Sequence, residues 1–272
     1  MRMSKPRRSA VKKYHDRVAG RYDQTYDDPF WKWHDALTWD YLKPFLPRDA
    51  NAKVADLGCG TGKWGAKIAK SGYAVTFVDV SYPMIERTRQ RIGQLGGAAR
   101  ADFLHADLCD LSELSANEFA LAVALGDPIG YTESPARALK QIRRILRHDG
   151  VLIATFDNRL AGIDYYLSGG DPQALSHFLR DGMTRWLTKD ASEQFPIATF
   201  TPGGVRGLVE GAGFEVVDLL GKTVLDMRHH RRLLASAEER RKWARIEKGL
   251  CRDVDAIGRA SHVQVACRLV EG

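Results

Sequence analysis

The chain has 272 residues, 44% of them apolar, and its 41 Lys and Arg against 34 Asp and Glu leave a formal charge of +7. That length suits one large α/β core, and no apolar run reaches the roughly 18 residues of a bilayer span, so the sequence reads as a soluble protein with the cytosol as its default compartment. Cys59, Cys109, Cys251 and Cys267 stand far apart with no short paired spacing, which argues against a zinc site and against a disulfide framework.

The opening "MRMSKPRRSAVKK" is basic but lacks an apolar stretch and a cleavage site, and reads as a solvated arm. Tyr14, Val18 and Tyr22 then recur at helical spacing, and Phe30, His34, Leu37, Tyr41 and Phe45 share one face of "DDPFWKWHDALTWDYLKPFLP". Two helices are therefore expected before the core. "AKVADLG" reads as a buried strand, "KWGAKIAKSG" as a helix closed by Gly72, and "YAVTFVDV" as a second strand. The alternation continues through helix "YPMIERTRQRIGQL", strands "ADFLHADL" and "FALAVALGD", helix "SPARALKQIRRILRHDG" and strand "GVLIATFDN". Such spacing implies a parallel sheet with helices on both faces.

From Arg159 to about Phe200 the pattern breaks into Gly, aromatic and polar residues, too long for a simple connection, so an insertion with its own short helices is expected. "TPGGVRGLVEGAG" reads as a helix with Thr201 as N-cap and Pro202 in its first turn. Strand "FEVVDLLGKTVL", a basic helical insertion over 226–258 and a closing strand "HVQVACRLV" follow. The expected organisation is an arm and helical lid over 1–50, a ligand-binding core over 51–160, a cap over 161–200 and completion of the core over 201–272.

The stretch "VADLGCGTGKWG", Val54 to Gly65, places four glycines in eight residues directly after a strand. In a doubly wound sheet this first turn faces the ligand, and Gly58, Gly60 and Gly62 would let backbone amides approach it with no Cβ in the way. Asp79 ends the second strand, where a carboxylate can accept both hydroxyls of a ribose. Gly60, Gly62 and Gly65 also satisfy the dinucleotide pattern G-x-G-x-x-G. Asp56, two residues before Gly58, would repel a diphosphate and suit a ligand carrying an ammonium. Asp107 in "LHADLCDL" offers an acceptor where an adenine amino group would lie. An adenosine with a cationic tail fits these acids better than NAD does.

On these residues the chain resembles the class I S-adenosylmethionine-dependent methyltransferases, over roughly Tyr14 to Leu160 plus the last two strands. "VADLGCGTG" looks like the family's first motif, "FVDVSYPMIERTR" like its second-strand acid with the following helix, and "LHADL" like its adenine-recognition acid. "YHDRVAGRYDQTYDDPFWKWHD", "GTGKWG", "ALGDPIGY" and "GVLIATFDN" resemble a branch often labelled ubiquinone/menaquinone-biosynthesis-related, a label that reflects the cofactor domain and names no substrate. The resemblance implies a Rossmann-like doubly wound fold with a mostly parallel seven-stranded sheet and an antiparallel last strand. It implies S-adenosyl-L-methionine as cofactor and S-adenosyl-L-homocysteine as product. Asp56 and the glycine turn would hold the methionyl part, Asp79 the ribose, and Asp107 with Leu108 the adenine. Leu125 and Gly126 would meet the methionine amine through backbone carbonyls, and Tyr14 and Tyr22 of the lid would sit near the cofactor.

The expected reaction is in-line methyl transfer to a small-molecule acceptor, with no metal required and no catalytic residue identified. His34, Asp127 and Tyr131 are the candidates for catalysis, with His15 a further base. "GDPIGY" departs from the Asp-Pro-Pro-Tyr pattern of nucleic-acid base methylation at Ile129 and at the aromatic position. The alternatives are an RNA or DNA methyltransferase using the basic late helix, a nicotinamide-dependent oxidoreductase, and a noncatalytic S-adenosylmethionine-binding protein.

Overall fold

The computed structural model describes residues 5–96, 100–185, 190 and 194–270. Helix α1 (Lys5–Val18) already begins inside the expected arm, and Val11 is buried against Phe195 and Ile197, a tertiary contact that local composition does not show. The backbone turns at Gly20, so Tyr22 opens a separate single turn, α2 (Tyr22–Thr25), and does not continue the helix of Tyr14. Helix α3 (Pro29–Leu42) is started by Asp28, whose side chain accepts from the Trp31 amide at 3.0 Å. It buries Phe30, Trp33, His34, Leu37 and Tyr41.

The core then alternates as its periodicity predicts. Strand β1 (Lys53–Leu57), α4 (Lys63–Ala69), β2 (Ala74–Asp79), α5 (Tyr82–Gly93), β3 (Ala101–His105) and β4 (Phe119–Ala124) follow in turn. A short α6 (Pro128–Tyr131), α7 (Pro135–Ile145) and β5 (Leu146–Asp157) come next. β5 starts at Leu146, four residues before the expected "GVLIATFDN", because Leu146 pairs with Phe119 ahead of a register shift between Phe119 and Leu121. The insertion contains α8 (Ile163–Ser168), α9 (Pro172–Asp181) and a small hairpin, β6 (Met183–Thr184) with β7 (Ile197–Ala198). The chain closes with α10 (Pro202–Glu210), β8 (Phe214–Lys222), α11 (Ala237–Leu250) and β9 (His262–Leu269). Thr201 caps α10 as expected, accepting from the Gly204 amide at 3.0 Å.

The seven-stranded sheet has the order β3-β2-β1-β4-β5-β9-β8. The first five strands are parallel, and β9 runs antiparallel between β5 and β8. Along β4, Phe119, Ala122 and Ala124 enter the core on one face while Leu121 and Val123 enter the other. Successive strand side chains point to opposite faces. One face is covered by Ala138, Leu139, Ile142 and Ile145 of α7 with Val205 and Val209 of α10; the other is covered by Ala66, Ile68 and Ala69 of α4 with Ile85 and Ile92 of α5. Each fully buried large apolar side chain contributes roughly 1.5 to 3 kcal/mol. Both ligand-facing turns and the last β8 residue are thereby held at one edge of a rigid sheet. No described helix is long and apolar enough to cross a membrane.

Candidate cofactor and acceptor site

After β1 the backbone passes through Gly58, Gly60 and Gly62 at φ of 65°, 54° and 75°, the left-handed region that L side chains rarely adopt. A Cβ on Gly58 would come within 2.4 Å of Pro128, so the turn after β1 packs directly on the turn after β4. The Gly60 amide donates to Asp79 Oδ2 at 2.8 Å, and the Ser81 amide donates to Oδ1 at 2.8 Å. Each carboxylate oxygen retains acceptor capacity, and Asp79 lines the cavity. Burial pushes the Asp79 carboxyl up, against the opposing pull of His15 and the two amides.

Asp56 is turned the other way. It is 2% exposed, is absent from the cavity wall, and accepts from the Gly65 amide at 2.8 Å. Burial pushes its carboxyl up to about 7. A Cβ on Gly65 would lie 2.6 Å from that carboxylate and 2.2 Å from Phe77, so this fourth glycine serves the packing of α4 on the sheet. Of the other expected cofactor residues, Gly58, Gly60, Asp107 and Leu108 line the cavity with Leu125, Gly126 and Tyr22. Gly62 and Tyr14 do not: Gly62 abuts Thr88, and the Tyr14 ring packs 5.3 Å from Phe195. Asp107 Oδ1 accepts from the Cys109 amide at 2.8 Å, which fixes the carboxylate after β3.

The N-terminal helices are latched onto this turn. Thr61 donates to Asp23 at 2.7 Å, and Lys63 bonds Asp35 at 2.6 Å. Sequence reading gave no sign of either pair. None of the described residues of 161–200 lines the cavity; Phe195 instead buttresses the wall, its ring 5.4 Å from that of Tyr131.

The far half of the cavity is walled by Tyr26, Trp31, His34 and Tyr131, with Lys222. The amides of Gly126 and Asp127 both donate to Thr155 Oγ1, at 2.9 and 3.0 Å, which stabilises Asp127 at a φ of 65°. Asp127 is buried behind the wall, 3.5 Å from His262 Nε2, and that nitrogen is 3.9 Å from Asp157. The register explains the meeting: Asp157 of β5 pairs with His262 of β9, which pairs with Lys222 of β8. Lys222 is 2% exposed and donates to Thr38 Oγ1 at 3.2 Å.

His34 and Tyr131, two of the sequence candidates, therefore reach the cavity, while Asp127 supports it from behind. Lys222, Asp157 and His262 were missed. The available signal was a lysine in the otherwise apolar end of "FEVVDLLGK" and a polar residue at each neighbouring strand terminus. Burial pushes Lys222 down to about 8, against the pull of Asp127, Asp35 and Asp157. It pushes His262 down to about 4 and His34 well below the usual imidazole range, so both are neutral at pH 7. Asp127, Asp157 and His262 place ligand atoms within 4.8 Å of one another, close enough for a metal ion. Burial and the neighbouring Asp127 push the Asp157 carboxyl well up, against the opposing pull of Arg228 and Lys222, so Asp157 favours its protonated form, which is a poorer metal ligand.

The near half of the cavity fits an adenosyl ligand. Asp79 keeps acceptor capacity at a wall position; a Cβ on Gly126 would meet nothing within 4 Å, and one on Gly60 only Tyr22 at 3.9 Å, which leaves a cradle beside both turns.

Residues 54–150 match the family model described as Methyltransferase domain. A demethylmenaquinone methyltransferase of Clavibacter sepedonicus is 29% identical over 144 residues, which cover 51% of this chain and 54% of that protein, so the match spans about half of the relative's length. A tRNA 5-carboxymethoxyuridine methyltransferase of Escherichia coli K12 is 24% identical over 71% of each chain. The structure of magnesium protoporphyrin IX methyltransferase from Synechocystis PCC 6803 with bound SAH superposes with a TM-score of 0.60 at 14% identity, covering 97% of this chain and 100% of that one. The sheet order and the glycine turn are those of the Rossmann-like fold that the structural neighbour shares, and residues 54–150 carry the likeness to a methyltransferase domain.

Proposed function

We propose that this chain transfers a methyl group to a small-molecule acceptor held in the aromatic half of the cavity. The observation that carries this reading is one continuous cavity whose wall runs from Asp79 and Asp107 to Tyr26, Trp31, Tyr131 and Lys222. S-adenosylmethionine, when bound, supplies an already activated methyl group on a sulfonium. The protein's task is then alignment, exclusion of water and handling of a proton. In this reading Asp79 holds the ribose, Asp107 with Leu108 the adenine end, and the segment Leu125–Gly126 the amino-acid end. Asp56 acts one step behind, keeping the turn in shape through the Gly65 amide. The described residues up to position 50 form the lid over both ligands, braced by Phe195 of the insertion.

A nucleic-acid acceptor is the competing reading, because one relative acts on tRNA. The basic late segment offers it less support than its charge suggests, since four of its cations are paired with acids of the protein. Lys242 pairs with Glu238 at 2.9 Å, Arg231 with Asp28 at 2.9 Å, Lys248 with Asp40, and Arg252 with Asp218. Methyl-labelled S-adenosylmethionine incubated with the protein and separate small-molecule and RNA extracts decides between the two. Label should enter the small-molecule fraction; label in RNA, with a steep loss in salt, would reverse the assignment.

A further inference from the structure

We propose that the acceptor carries an acidic hydroxyl on an aromatic ring, and that Lys222 Nζ takes that hydroxyl's proton and holds the resulting aryloxide for methylation. The inference rests on the methyl-transfer reading and adds to it a substrate class and a proton acceptor. Three observations carry it.

The first is position. Lys222 is the last residue of β8, 2% exposed, and part of the cavity wall that also presents Tyr26, Trp31 and Tyr131. Flat aromatic walls favour a ring, which stacks edge to face or offset against them. The second is hydrogen bonding. Thr38 Oγ1 accepts from Lys222 at 3.2 Å, while the Thr38 hydroxyl itself donates to the His34 carbonyl at 2.9 Å. That single bond leaves the rest of Nζ for a ligand. The third is the surrounding charge. Asp35 of α3, Asp127 after β4 and Asp157 at the end of β5 act on Lys222 as carboxylates, while His262 of β9, His34 of α3 and Arg228 complete the cluster. The acids stabilise an ammonium once it forms, and burial makes the free amine accessible near neutral pH, with Lys222 pushed down to about 8. His34, on the same wall, is held well below the usual range and is the weaker base.

The step balances as follows. The aryl hydroxyl gives its proton to the neutral Nζ, producing an aryloxide beside an ammonium. An oxygen lone pair then forms the O–CH3 bond as the S–CH3 bond breaks and its electron pair passes to sulfur. The ammonium returns its proton to water when the aryl methyl ether leaves.

4-Nitrophenol, whose phenolate is yellow, and its methyl ether 4-nitroanisole test the holding of the aryloxide, and methyl transfer to 4-nitrophenol tests the proton step. At a pH about one unit below the probe's own pKa, where the free probe is roughly nine-tenths phenol, the wild-type protein should bind it largely as phenolate. It should also bind the ether about tenfold more weakly or worse. Lys222→Met should lose the yellow band and the preference; Lys222→Arg, which keeps a cation but has no neutral form to take the proton, should keep the band yet lose methyl transfer to the probe at least tenfold, and undiminished transfer by it would overturn Lys222 as the proton acceptor. Equal binding of phenol and ether, a band that survives in Lys222→Met, or a folded Lys222→Arg without the band would overturn the proposal. Calorimetry of S-adenosylmethionine on the same samples separates the two readings: no cofactor binding would count against methyl transfer itself, whereas cofactor binding without the phenolate band would count against Lys222 alone.

Discussion

The two halves of the sheet's carboxyl edge are built by opposite means. On the β3-β2-β1 side the site is made by one glycine turn whose amide bonds Asp79 at the end of the next strand, with Asp107 after the third. On the β4-β5-β9-β8 side Lys222 reaches the wall with Asp127, Asp157 and His262 behind it, and strand register brings residues 157, 262 and 222 together. The near half is short-range and largely backbone, and suits a ligand shared by many proteins. The far half is long-range and ionisable, and can be changed residue by residue without disturbing the turn.

The sharpest way to break this contrast is acid. His262 is held down to about 4 by burial, while an unfolded histidine titrates near 6.5. The unfolded chain therefore takes up a proton that the folded chain refuses, and stability falls as pH drops from about 6.5 to about 4, by about 3 kcal/mol for this group. Urea midpoints of wild type and His262→Gln, compared at neutral pH and near pH 4.5, should converge or cross as acid removes the wild-type contribution. Parallel lines would mean that His262 is not buried as a neutral ring.

Asp79→Ala strikes the near half. It removes the acceptor of the Gly60 and Ser81 amides together with the two-point ribose contact proposed above. S-adenosylmethionine binding should weaken by about 2 to 3 kcal/mol, roughly 30- to 150-fold, by calorimetry. An unchanged dissociation constant would remove Asp79 from the cofactor site.

Tyr22 sits where the halves meet. Its ring lines the cavity beside Gly60, and a ring beside a desolvated sulfonium is worth about 2 kcal/mol at most, with far less for the neutral thioether. Tyr22→Leu should weaken S-adenosylmethionine more than S-adenosylhomocysteine in parallel titrations. Equal losses would make the tyrosine a packing residue.

Asp56→Asn should have the smallest effect on the cofactor. The asparagine oxygen can still accept from the Gly65 amide, and position 56 lies off the cavity wall, so affinity should change by less than about threefold. A loss as large as that of Asp79→Ala would place Asp56 in direct contact with ligand.

What could be read from the chain follows the same division. The core strands and helices, Thr201 as a cap, and the turn with Asp79 and Asp107 were legible because each depends on neighbours within a few residues or on one βαβ step. Three local readings failed where a tertiary contact decides. The basic arm becomes helix because Val11 finds Phe195 and Ile197, β5 starts early because Leu146 finds Phe119, and Tyr14 parts from Tyr22 because the backbone turns at Gly20. The Asp157–His262–Lys222 row was invisible for a stronger reason. Its members are consecutive only across an antiparallel strand whose register no local pattern specifies.

The most direct test of the divided edge is a crystal structure with S-adenosylhomocysteine bound. The account predicts the adenosyl group against Gly58, Gly60, Asp79 and Asp107, with Lys222 left uncovered between Trp31 and Tyr131. An adenosyl group lying over Lys222, with the Asp79 wall empty, would contradict it.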